Sequence, residues 1–111
     1  MTLREELYHI AVEHQKNERL KTLEAKNYFP EERLNQIINA CKQSANKGRF
    51  TTYLVISNYI ATEYLEDLAK VHSKVRNIIL NDVAEYLSLK LDMKTSLSRN
   101  EKIDFIELRW G

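Results

Sequence analysis

Few side chains in this sequence combine a reactive chemical type with the spacing that a catalytic or metal-binding site requires. The nearest to a metal site is the group His9, Glu13 and His14, because imidazole and carboxylate groups are common zinc ligands. On a helix, His9 and His14 would lie about 140° apart around the axis. No zinc-binding signature of the His-Glu-x-x-His kind is present either. We therefore predict no metal site and no bound cofactor.

The sequence offers no better candidate for a catalytic nucleophile than for a metal site. Cys41 is the only cysteine, and its helical neighbours, Ile37 among them, are apolar, so it is expected as a small buried side chain. Ser57 lacks the flanking glycines of a nucleophile elbow and is expected to cap a helix. With only Gly48 and Gly111 available, no glycine-rich phosphate loop can form. We predict no catalytic residue and expect that the chain is not an enzyme.

Basic residues that could bind phosphate groups stand in two short stretches of the chain. They are Lys47, Arg49, Lys70, Lys74 and Arg76. Nearby tyrosines could stack on bases, which makes a nucleic-acid-binding regulatory protein the alternative function. Acidic residues interrupt the basic stretches, however, and the formal net charge is only +1. Solvated helix faces explain these residues better, so nucleic acid is the less favoured partner.

Aromatic residues make up 9% of the chain, and several of them fall within residues 50–64. Tyrosine and tryptophan combine a large apolar ring with a polar group, which suits them to protein interfaces. A core of mixed aromatic side chains is the other interpretation of the same cluster. The leading hypothesis is a non-enzymatic protein that binds another protein or a second copy of itself. Its predicted partner-binding residues are Tyr53, Tyr59, Tyr64 and Trp110.

The composition indicates one globular domain spanning residues 1–111. With 43% hydrophobic and 30% charged residues, the chain can bury a core without disulfides or metals. No apolar run approaches the ~18 residues of a membrane span, and Glu5 and Glu6 stand where a signal peptide would be apolar. A single cysteine also suits a reducing compartment. We therefore expect a cytoplasmic protein with no membrane partner.

Two helices are predicted in the first half of the chain. Thr2 and Glu5 have the spacing of a capping box, so the first helix is expected to start here and to end near residue 27. Its apolar stripe is thin, so the helix is expected to pack on one side only, with its more polar second half projecting either into solvent or onto a partner. Pro30 suits the first position of a second helix, which is expected to end at Gly48.

A β-strand and a long helix are predicted next. Residues 50–56 are β-branched and aromatic, with apolar side chains on both faces, which is typical of a strand. Residues 62–87 have helical periodicity over roughly 35–40 Å. This segment is compatible with one continuous helix or with a break near His72 and Ser73, where helix propensity is weakest.

A β-hairpin is predicted at the C-terminal end. Apolar residues from Leu89 to Leu97 alternate with polar ones, which is typical of a half-exposed strand. A polar bend over residues 98–102 separates this run from residues 103–110, which are apolar on both faces. A two-faced third strand belongs in the centre, so we predict an antiparallel sheet of order 1-3-2. The fold class is α+β, helix-helix-strand-helix-strand-strand, with helices packed on the sheet. A partner chain could add to the outer edge of strand one.

Two segments resemble small α+β proteins encoded by bacteriophages and their low-GC hosts. They are the Gly-Arg-Phe entry into a strand within residues 47–50 and the final strand, residues 103–110, which ends in Trp110. The resemblance implies a small accessory protein, either a virion component or an inhibitor of a host protein. It also implies a location in the host cytoplasm or in the virion, and no catalytic residues.

Overall fold

A computed structural model describes residues 1–111, which form four helices and a three-stranded sheet. The elements are α1 (Leu3–Ala25), α2 (Glu31–Asn46), β1 (Thr51–Val55), α3 (Leu65–Ala69), α4 (Lys74–Leu91), β2 (Lys94–Asn100) and β3 (Ile103–Arg109). Two short 3₁₀ turns, Ile56–Asn58 and Thr62–Tyr64, connect β1 to α3. The predicted α+β fold class is confirmed.

The strands are antiparallel throughout and stand in the predicted order β1-β3-β2. Cross-strand partners lie on the same face of a sheet, so Leu54 and Leu97 share a face with Ile106, with which both pair. Leu54 and Ile106 are buried, whereas the alternate residues point to the opposite side. The sheet therefore has one face covered by helices and one open face.

One cluster of buried side chains holds the helices against the covered face. The Ser44 hydroxyl of α2 donates a hydrogen bond to the Thr52 hydroxyl of β1, at 3.1 Å. The Thr95 hydroxyl of β2 donates to the carbonyl of Ala84 in α4, also at 3.1 Å. α2 therefore lies over β1, and α4 lies over β2. The most deeply buried members of the cluster are Leu23, Ile37, Ile56, Val83, Leu87, Ile106 and Leu108.

The predicted start of the second strand is wrong. Leu89 and Leu91 belong to the last turns of α4, and the helix is closed by Asp92, whose backbone is left-handed with φ 52°. Leu87 and Leu91 are four residues apart and share one side of the helix, whereas Leu89 lies about 160° around the axis from both. A short apolar run is compatible with the period of a helix and with that of a strand. Here the packing of these leucines makes the run part of α4.

The hairpin turn is tighter than predicted. β2 continues to Asn100, so residues 98–100, which were expected in the bend, pair with β3 instead. The turn consists of Glu101 and Lys102 alone, and both have positive φ, 49° and 70°. Two-residue hairpin turns favour positive φ because that backbone twist matches the twist of the flanking strands.

The segment predicted as a long helix is divided into α3 and α4. His72 has a left-handed backbone with φ 62°, which no continuous helix contains. The Ser73 hydroxyl accepts a hydrogen bond from the Val75 N–H at 3.2 Å and so caps the start of α4. Of the two arrangements compatible with the sequence, the break near His72 and Ser73 is the one that forms.

α1 begins where predicted, with the Thr2 hydroxyl accepting a hydrogen bond from the Glu5 N–H at 3.2 Å. The prediction that its second half projects is wrong. That half packs on the domain, with Leu20 half-buried and Leu23 buried, whereas the first eleven residues are all exposed. Residues 1–11 are called the arm below. The second half packs because Leu23 is buried and because Arg19 and Glu24 pair with charged residues of α4.

Candidate functional site

The arm carries a group of exposed apolar side chains. Leu3, Leu7 and Ile10 have 69%, 57% and 66% of their surface exposed. Their spacing of four and then three residues places them in one stripe along the helix. Met1, which precedes the helix, and Tyr8, which lies about 100–160° around the axis from the stripe, are also exposed. Such a concentration of apolar area on one element is typical of a surface that contacts another molecule.

The stripe of the arm faces away from the side of α1 that packs on the domain. Leu23 is the buried residue of α1. By helix geometry, the three stripe residues lie about 140–160° around the axis from it. The contacts that α1 makes with its own domain therefore cannot cover the stripe. It stays available to a partner.

A cluster of ion pairs centred on Asp82 of α4 holds the second half of α1 in place. Asp82 Oδ1 lies 3.0 Å from Arg19 Nη2, and Oδ2 lies 2.6 Å from Lys26 Nζ. The Tyr28 hydroxyl donates to Oδ2 at 2.7 Å. Arg19 also pairs with Glu85, one turn along α4. These bonds fix the angle at which α1 leaves the domain, and thereby the direction of the arm.

The electrostatics of this cluster favour the ionised carboxyl of Asp82. Burial raises the pKa of this group, but the hydrogen bonds from Lys26 and Tyr28 lower it, as do the nearby positive charges. The net effect is a pKa below the ordinary value. Burial and the bond to the carboxylate raise the pKa of Tyr28, which keeps its phenol protonated as a donor. The charges and donors satisfy one another, so the cluster serves as an anchor for α1.

The open face of the sheet has an apolar and aromatic centre. Tyr53 is 62% exposed there, and Val55 stands opposite Phe105 of β3 on the same face. Ile103 adds exposed surface near the hairpin turn. The rings and branched side chains give this face the character of a contact surface.

Two shallow clefts adjoin each other near the hairpin turn, and Asp104 lines both. One, of about 480 Å³, is mostly apolar and includes Leu65 and Ile103. The other, of about 260 Å³, includes Arg76 and Arg99. The Arg76 guanidinium pairs with Asp104 and donates to the carbonyl of Leu68, so the acid that the clefts share is already bound. Neither cleft is lined by histidine or cysteine.

The structure does not bring the four predicted partner-binding aromatic residues together. Tyr53 lies on the open face of the sheet, whereas Trp110 is half-buried against the core on the covered side. Tyr59 is half-buried. Tyr64 is also half-buried, with its hydroxyl donating to the carbonyl of Lys26. Tyr53 therefore offers the largest exposed ring of the four, and partner binding by any of them stays a prediction.

The five basic residues predicted for nucleic acid are divided between the two ends of the sheet. Arg49 lies two residues before β1, and Lys47 directly follows α2, at one end. Arg76 is buried and paired with Asp104, at the other end, where Lys70 pairs with Asp67 at 3.4 Å. Lys74 is exposed at the start of α4. The structure forms no single basic surface from them, and nucleic-acid binding stays a prediction.

The stripe of the arm was not among the residues predicted to bind a partner, although its spacing was visible in the sequence. The available signal was a change of phase along one helix. Leu3, Leu7 and Ile10 follow one side of the helix, whereas Leu20 and Leu23 follow another. A helix with two apolar sides in two different halves is expected to contact two different surfaces.

No group of three or more histidine, cysteine, aspartate or glutamate side chains is placed to hold a metal ion. No helix has the length and apolar character needed to span a bilayer. Comparison with protein-family models, with curated proteins and with solved structures gives no match for this chain.

Proposed function

We propose that this chain is a small non-enzymatic protein-interaction protein that presents the arm of α1 to another protein. The observation that carries the proposal is the exposed stripe of Leu3, Leu7 and Ile10. Positions i, i+4 and i+7 are the anchors by which an amphipathic helix binds an apolar groove. The expected binding site is therefore a groove on the partner, about two helical turns long.

The charges beside the stripe favour a foreign partner over a second arm. Glu6 and Glu13 follow the same edge of the stripe, one on each side of Ile10 along the chain. An antiparallel pair of arms would set Glu6 against Glu13, and a parallel pair would set Glu13 against Glu18. Both arrangements place like charges together, which costs free energy. A groove with basic residues along its rim complements the same edge.

The resemblance of residues 47–50 and 103–110 to phage-encoded proteins supports an accessory role for such binding. In that setting the partner is a host protein that the chain inhibits or another component of the virion. The chain would then act in the host cytoplasm or within the particle. Both roles need a rigid binding element and no catalytic residue.

The proposal is tested by comparing two charge substitutions on opposite sides of the arm. Leu7→Asp places a carboxylate in the stripe, and His9→Asp places one on the far side of the same helix. Each immobilised variant and the wild type are exposed to a lysate of low-GC bacteria, and the retained proteins are compared by mass spectrometry. Loss of an anchor residue from a groove weakens binding by roughly thirtyfold or more.

The expected result is a protein retained by the wild type and by His9→Asp but lost with Leu7→Asp. Circular dichroism of all three chains serves as the control for folding. Identical sets of retained proteins on the wild-type and Leu7→Asp columns would contradict the assignment to the arm.

A further inference from the structure

The outer edge of β1 has backbone groups without a partner. The Trp110 N–H donates to the Phe50 carbonyl at 3.0 Å, which makes these two residues a hydrogen-bonded pair of the antiparallel ladder. Bonding alternates along such a ladder, so Thr51, Tyr53 and Val55 direct their N–H and C=O groups away from β3. One side of β1 is therefore a row of free donors and acceptors.

This edge lacks the features that usually prevent pairing with another strand. β1 contains no charged residue, no proline and no glycine, and its pairing with β3 is continuous without a bulge. The opposite edge strand differs, because β2 carries Lys94 and Arg99. The two edges of the sheet are thus unequal, and only that of β1 is free of charge.

α2 lies over β1 and runs antiparallel to it. Ser44, near the end of α2, bonds Thr52 near the start of β1. Arg33, near the start of α2, donates to the Asn58 carbonyl at 2.8 Å, just beyond the end of β1. A second β1 paired antiparallel to the first would therefore bring a second α2 alongside, also antiparallel.

The charges on α2 suit this arrangement. Its first turn carries exposed Glu31 and Glu32, whereas exposed Lys47 and Arg49 follow its last turn. Two antiparallel copies set the acidic start of one helix beside the basic end of the other, twice over. A helix rises about 1.5 Å per residue and a strand about 3.3 Å per residue. With these values, the acidic start of one α2 lies level with the basic end of the other when the two-fold axis that relates the copies passes near Leu54.

We infer that β1 pairs with β1 of a second copy of this chain, forming a continuous six-stranded antiparallel sheet about a two-fold axis near Leu54. Tyr53 of each copy then stands opposite Val55 of the other on the open face. The strand that pairs with this edge comes from a second copy because the two-fold axis places the acidic start of each α2 beside the basic end of the other α2. The inference is independent of the arm, which lies on α1.

The test is the solution mass across a concentration series, measured by light scattering and sedimentation. The wild type is expected at twice the chain mass of 13.1 kDa. Tyr53→Lys places a charge on the edge, and Tyr53→Pro removes an outward N–H that β3 does not use. Each is expected to raise the dimer Kd at least about tenfold. Arg99→Pro makes the matched change on the β2 edge and should leave the dimer intact.

A charge exchange separates this interface from other routes to a dimer. Replacing Glu31 and Glu32 with Lys should weaken the dimer, and adding Lys47→Glu and Arg49→Glu to that variant should restore it. A wild type that is monomeric throughout the series would overturn the inference. So would a dimer that is lost in Leu7→Asp but kept in Tyr53→Lys, because it would place self-association on the arm.

Discussion

At the scale of single residues, Asp82 is the centre of the ion pairs that hold the second half of α1 on the domain. Its carboxylate receives bonds from Arg19 in the second half of α1 and from Lys26 and Tyr28, which follow the helix. Arg19 and Lys26 stay partly exposed, so water can solvate them when the carboxylate is removed. The cost of losing Asp82 is therefore smaller than for a fully buried ion pair.

Asp82→Asn is expected to lower the free energy of unfolding at pH 7 by about 2 kcal/mol, because bonds to a charged acceptor are replaced by weaker ones. Since the pKa of Asp82 in the folded protein lies below its unfolded value, its stabilising effect is present above about pH 4 and is lost as the pH falls further. Urea unfolding from pH 7 to pH 2 measures both effects.

The control for this comparison is Glu18→Gln, which removes an exposed pair with Lys21 at 3.8 Å. Its cost should stay below about 0.5 kcal/mol at every pH. If the difference between the wild type and Asp82→Asn did not shrink in acid, the ionised carboxylate would not be the source of the stability.

At the scale of elements, the sequence predicts the kinds and the order of elements better than their ends. The hydrophobic period and the content of β-branched residues can be recognised within a short stretch of sequence. Both helices of the first half and the three-stranded sheet could therefore be predicted. The end of α4 depends on how Leu89 and Leu91 pack against the rest of the chain, which no local pattern contains. The projecting half of α1 was assigned wrongly for the same reason, since Asp82 is distant in sequence.

The hairpin turn offers an element-scale prediction. Glu101 and Lys102 occupy left-handed backbone that asparagine and glycine adopt at lower cost. The double substitution Glu101→Asn and Lys102→Gly is expected to raise the free energy of unfolding by about 1 kcal/mol in urea unfolding.

Lys42→Gly is the control with the opposite expected effect, because Lys42 is an exposed residue in the interior of α2. Glycine there should cost about 1 kcal/mol. Destabilisation by the Asn-Gly turn would show that the backbone of the hairpin differs from the one described.

At the scale of the whole molecule, the residues that form the core are different from those of the proposed binding surface. The core joins α2, α4 and the covered face of the sheet, and α1 contributes one fully buried residue, Leu23. The arm contributes none. The candidate site could therefore be only partly predicted from the sequence, because the stripe is visible there but its exposure depends on what the remainder of α1 contacts.

Deletion of residues 1–11 is expected to leave the thermal unfolding midpoint within about 3 °C of the wild type, since no buried side chain is removed. Leu23→Ala, which empties a buried position on the same helix, should cost about 3 kcal/mol. Differential scanning calorimetry of both chains makes the comparison. A large loss of stability on deletion would mean that the arm folds back onto the domain.

The separation of the arm from the core has a consequence for how the chain can change. Mutations accumulate only while a protein stays more stable than the threshold that its function requires. Most substitutions at buried positions lower the free energy of unfolding toward that threshold. Substitutions in the stripe do not, because its residues pack against nothing in their own domain. Under the proposed function, selection for a new partner can therefore act on Leu3, Leu7 and Ile10 with no compensating change elsewhere, and the same scaffold could present a different surface to a different partner.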